Sequence, residues 1–112
     1  MRLFEAVRPR KFYHVTLSEN VSSIMKKGLI PTQGERSAKL DDHGIFMFGN
    51  KSHMEDALMN WLGDEFDEDD ELTVLIITLP DNWPLVNEDT AGFEWISRDP
   101  IPPKYIQVGW TE

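Results

Sequence analysis

Two residues with the chemistry to hold a ligand stand in rigid stretches of this chain. His14 lies within Tyr13-His14-Val15-Thr16, and Glu94 lies between Phe93 and Trp95. A third stretch, Gly44-Ile45-Phe46-Met47-Phe48, puts Phe46 and Phe48 on one face of a short strand. A neutral imidazole offers one donor and one acceptor. Each residue also has a plain reading. His14 can be a packed or capping histidine, and Glu94 a solvent-facing strand residue with its aromatic neighbours on the opposite face. Phe46 and Phe48 can both be core, and only one of them need touch a ligand.

Other chemistry is excluded or weak. The chain has no cysteine, so thiolate nucleophiles, disulfides and Cys-based zinc sites are ruled out. His43 and His53 with Asp41 and Asp42 show no recognised ligand spacing, and no metal is expected. Every residue from Asp64 to Glu71 except Phe66 is acidic, but the run lacks the glycine and register of a calcium loop.

The elements around these residues are readable. Residues 11–16 are aromatic and β-branched, as a strand requires. Ser18 offers an N-cap, and Val21, Ile24 and Met25 share one helical face. Lys26 and Lys27 complement the dipole of the last turn, Gly28 fits a left-handed C-cap, and Pro31 blocks continuation. Residues 32–43 read as a polar loop. A short strand runs from Ile45 to Phe48. A second helix follows, with Ser52 and Glu55 at capping-box spacing and an apolar face of Met54, Ala57, Leu58, Trp61 and Leu62 that ends at Gly63. Leu72 to Leu79 is a nearly continuous apolar strand, predicted to be covered on both faces. Short strands are expected at Leu85-Val86, 92–96 and 105–110. Two early helices and several late strands give an α+β order.

The 112 residues suit one domain, spanning 1–112, and the 40% hydrophobic content can fill its core. The formal charge of -9 argues against general nucleic-acid binding, which needs a basic face. Arg2, Arg8, Arg10 and Lys11 nonetheless crowd the N-terminus. No apolar run approaches a membrane span and Met1–Glu5 lacks a signal-peptide core, so the expected location is cytoplasmic.

Taken in order, the three stretches resemble the ADP-ribosyltransferase superfamily. Tyr13-His14-Val15-Thr16 with the helix ending at Gly28-Leu29-Ile30-Pro31 is similar to that family's first motif. Gly44-Ile45-Phe46-Met47-Phe48 with the helix carrying Ala57 is similar to the second, with Phe46 where a Tyr is usual. Glu94-Trp95-Ile96, followed by Ile101-Pro102 and Ile106, is similar to the third, which holds the catalytic Glu. The resemblance spans roughly residues 12–108.

It implies a split β-sheet with two main helices around a cleft for NAD, bound as a substrate. It also implies cleavage of the nicotinamide–ribose bond and transfer of ADP-ribose to a macromolecular acceptor, most simply a protein. Glu94 would stabilise the oxocarbenium-like ribose, and His14 would hold a ribose hydroxyl. The main chain at Val15 would meet the carboxamide, and Phe46 would stack on nicotinamide. Tyr13, Thr16 and the loop residue Arg36 complete the implied binding set. Gly92 stands where arginine-modifying relatives carry an acidic residue or Gln, which points away from an arginine acceptor. Arg36 alone falls short of the Arg and His set of the RNA 2′-phosphotransferase branch, and the acidic charge weighs against the substrate of the DNA-modifying branch. The alternative from a different class is a non-enzymatic acidic interaction or inhibitor protein on the same fold.

Overall fold

The computed structural model describes residues 10–31, 44–60, 66–87 and 94–111. Arg36, His43, Asp41, Asp42, Trp61, Leu62, Gly63, Asp64, Glu65, Gly92, Phe93, Arg2 and Arg8 lie outside the described residues.

The chain is α+β. Its strands are β1 (Arg10–Leu17), β2 (Ile45–Phe48), β3 (Leu72–Leu79), β4 (Val86–Asn87), β5 (Glu94–Ser97) and β6 (Ile106–Thr111). Helix α1 (Val21–Lys27) follows β1 through a 3-10 turn, and α2 (Lys51–Asn60) follows β2. The strands form one antiparallel sheet in the order β4-β5-β2-β1-β3-β6.

Register and burial show two packed faces. Phe12, Met47, Leu75, Ile77, Leu79 and Ile106 build one core with Leu29 and Ile101, and Ile24 and Met25 of α1 lie against it. Val15, Phe48 and Val74 build the other with Met54 and Ala57 of α2. Strand β3 contributes to both, and Val74, Leu75, Ile77 and Leu79 are fully buried. A strand covered on both faces has no polar side to present, which is why its sequence is nearly all apolar.

The pairings differ in extent. All of β1, from Arg10↔Leu79 to Leu17↔Leu72, is in register with β3. All of β2 is in register with β5, from Ile45↔Ser97 to Phe48↔Glu94. Between β1 and β2 the register is a single pair, Tyr13↔Phe48. The sheet therefore has a thin seam at its centre.

The helix ends depart from the local sequence signals. Ser18 does not cap α1; its hydroxyl lies 2.6 Å from Thr73 Oγ1 on β3 instead. Leu17 and Asn20, at the starts of the 3-10 turn and of α1, make no side-chain cap bond either. Ser52 lies inside α2, and the cap is Asn50, whose Oδ1 accepts the His53 N–H at 2.8 Å. Replacing Asn50 with Ala is expected to cost about 1 kcal/mol, read by urea denaturation. Gly28 has positive φ as expected, but φ 86° with ψ -177° is not the left-handed helical cap. The extended ψ sends the chain outward into the Leu29↔Ile101 bridge, held by two 2.9 Å main-chain hydrogen bonds.

Candidate functional site

The seam brings together four residues that the sequence singles out, Tyr13, His14, Phe46 and Phe48, with Glu94 one strand further on. Pairing of Tyr13 with Phe48, and of Phe48 with Glu94, sets one row across β1, β2 and β5. Directly opposed residues project to the same face, so Tyr13, Phe48 and Glu94 share a side. His14, one residue on, starts toward the other face. Its ring reaches β2 all the same: Nδ1 lies 2.8 Å from the Phe46 carbonyl oxygen. The imidazole thus bridges the two strands just past their only registered pair.

That contact fixes the state of the ring. Desolvation by burial lowers the His14 pKa below 6.5, and the bond to the Phe46 carbonyl partly offsets it. The ring is therefore neutral at pH 7. A carbonyl can only accept, so the proton sits on Nδ1 and Nε2 keeps its lone pair. His14 Nε2 is thus a hydrogen-bond acceptor.

The lowered pKa also makes stability depend on pH. Between the folded value and 6.5, the unfolded chain binds a proton at His14 that the folded chain does not. Stability from this group is full above about pH 6.5 and is lost as pH falls through the folded pKa. Urea midpoints measured from pH 7.5 down to 5 are expected to fall, and His14→Gln, which cannot titrate, is expected to flatten that slope.

The remaining residues divide clearly. Phe48 is 3% exposed and belongs to the core with Met54 and Val74, whereas Phe46 is only half-buried. Phe46 is the ring of the pair that a ligand can reach. The Val15 side chain is core, which leaves its main chain as the only part able to meet a ligand. Thr16 is buried opposite Thr73. Glu94 is 6% exposed, so the solvent-facing reading of it is wrong. Burying a carboxylate costs several kcal/mol unless it is compensated. His14 and Glu94 stand on strands separated by β2 alone.

Two neighbours of this site had no signal in the sequence. The Trp110 ring lies 6.0 Å from that of Tyr13, and Lys51 Nζ lies 5.0 Å from the Trp110 ring. These contacts join β1, β6 and the start of α2, and no local periodicity links residues so distant. An open acidic cavity of about 440 Å³ lies past the end of β1, lined by Leu17, Ser18, Glu19, Asp69, Asp70 and Glu71. Among the described residues, no three His, Asp or Glu side chains converge as a metal site. No helix among them is long and apolar enough to cross a membrane. No protein-family model matches the chain, and no curated protein is significantly similar to it.

Proposed function

We propose that this chain is an ADP-ribosyltransferase-like domain that binds NAD at the β1–β2 seam and cleaves the nicotinamide–ribose bond. The observation that carries this reading is the role of β2. Its Phe46 carbonyl fixes the His14 ring, and two residues later Phe48 stands opposite Glu94. β1 and β5 are thereby two strand spacings apart, about 10 Å. The single-pair seam is the feature that favours a split sheet over an ordinary closed one.

Each residue has a distinct task. The His14 Nε2 lone pair accepts a ribose hydroxyl and orients the sugar. Phe46 supplies a half-buried aromatic face for the nicotinamide ring. The bond from ribose C1′ to the pyridinium nitrogen breaks, and its electron pair leaves with neutral nicotinamide. Positive charge develops on C1′ and the ring oxygen. The Glu94 carboxylate, withdrawn from water, stabilises that charge more strongly than an exposed one can. An acceptor nucleophile then bonds to C1′ and releases its proton. A protein side chain other than arginine is the acceptor class favoured. Incubating the protein with NAD and measuring nicotinamide by chromatography tests this. Release above the protein-free rate is expected; none at saturating NAD, with and without cell extract as acceptor, contradicts it.

A second reading rests on the acidic surface. Asp67 to Glu71 are consecutive and exposed, beside the cavity at Ser18 and Glu19. A non-enzymatic protein binding a basic partner would use that surface. Binding of a lysine-rich peptide that disappears when Asp69, Asp70 and Glu71 are neutralised supports it; binding indifferent to them removes it.

A further inference from the structure

The two halves of the sheet, β4-β5-β2 and β1-β3-β6, meet at one registered pair, yet His14 lies in one and Glu94 in the other. Besides Tyr13↔Phe48, the His14–Phe46 contact and both cores join them; a link outside the seam would fix their spacing as well. The segment after β3 is placed to do so. It leaves β3 beside β1 and enters β4 at the far edge, so it crosses β1, β2 and β5. Across a flat sheet that is four strand spacings, about 19 Å. A turn closes at Pro80 and Trp83, where the Trp83 N–H meets the Pro80 carbonyl at 3.0 Å. With that turn's ends within about 7 Å, residues 79–86 reach about 21 Å at most. The connector has little slack.

Trp83, in the middle of it, bonds to both halves. Arg10 Nη2 of β1 donates to the Trp83 carbonyl at 2.7 Å. Trp83 Nε1 donates to Ser97 Oγ of β5 at 2.9 Å. Ser97, fully buried, in turn donates its hydroxyl hydrogen bond to the Asp99 carbonyl at 2.8 Å. The indole also stands edge-on to Tyr105, with ring centroids 5.7 Å apart. On the same face Phe12 of β1 touches Trp95 of β5 across β2, centroids 6.3 Å apart. The Trp83 indole and main chain therefore connect the strands of His14 and Glu94 without passing through the seam.

We infer that Trp83 is a positioning residue: a strap from Arg10 to Ser97 that sets the spacing between β1 and β5 and so keeps the seam at one width. Its consequence for turnover rests on the function proposed above; its consequence for the seam does not. Trp83→Phe keeps a ring but removes the Nε1 donor, and Ser97→Ala removes the acceptor. The direct reporter is the His14 Nδ1–H, seen as an imidazole proton in NMR spectra. In both variants it is expected to exchange with water at least about tenfold faster than in wild type while circular dichroism stays native, since displacements near 1 Å are costly in preorganised sites. Nicotinamide release is expected to lose about tenfold in kcat with KM nearly unchanged. Wild-type exchange at His14 in either folded variant overturns the strap. Loss of cooperative folding in both also overturns it, because the contacts would then be ordinary core. Absence of turnover in wild type removes the enzymatic reading and leaves the exchange result to decide the strap.

Discussion

Glu94→Gln is expected to slow nicotinamide release from NAD by at least about 100-fold. The substitution keeps the shape of the side chain and one acceptor oxygen, turns the other oxygen into an NH2 donor, and removes the negative charge. Glu94 is 6% exposed, so water screens little of that charge. A carboxylate that faces a forming oxocarbenium ion is worth most at the transition state and little in the ground state. The loss should therefore fall on kcat, with KM for NAD changed little. A factor of 100 corresponds to about 2.7 kcal/mol, within the range of a single preorganised electrostatic group. The assay is initial-rate nicotinamide release by wild type and variant at matched folded concentration. Equal rates remove Glu94 from the chemistry.

Gly28→Ala is expected to cost at least about 3 kcal/mol of stability. At φ 86° and ψ -177° the residue occupies a region that only glycine enters readily. Space is lacking as well: a Cβ would stand 2.3 Å from the Ile101 carbonyl oxygen and 3.2 Å from Pro102 Cα. These are main-chain atoms, and the paired 2.9 Å bonds between Leu29 and Ile101 hold them there. Relief would require opening the bridge that anchors two buried residues, Leu29 and Ile101. Gly49→Ala is the control. Gly49 is exposed, and its added Cβ would come within 3.3 Å of one atom of the Trp95 side chain. It is expected to cost about 1 kcal/mol or less. Urea unfolding of the three proteins compares them directly. A Gly28→Ala loss no larger than the control contradicts the strain argument.

Local pattern made much of this fold legible, and its limits follow from what local pattern encodes. Leu72–Leu79 was readable to the residue because burial on both faces demands a nearly continuous apolar run. Gly28 was readable as a helix stop, since a positive φ is a local property that glycine adopts readily. The caps were not: Ser18 and Ser52 had the right type and spacing, but Thr73 claimed the first, and Asn50 capped α2 ahead of the second. Periodicity names a residue that can cap, not the partner that wins it. The burial of Glu94 was equally hidden. Flanking aromatics suggest alternation, but here both faces of the sheet are covered, so alternation no longer separates core from solvent. Phe46 and His14 were legible as candidates, whereas their hydrogen bond depends on how β1 and β2 part. The links from Trp83 to Arg10 and Ser97, and from Trp110 to Tyr13, join elements far apart in sequence and leave no mark in it.

The central claim is that NAD binds at the seam between β1 and β2. Titration of the isotope-labelled protein with NAD, followed by NMR, tests it most directly. The expected result is saturable shifts at the His14 imidazole, chiefly Nε2, together with the Val15, Phe46 and Glu94 main-chain amides. Absence of shifts at saturating NAD, or shifts confined to Ser18, Glu19 and Asp69–Glu71, would contradict it.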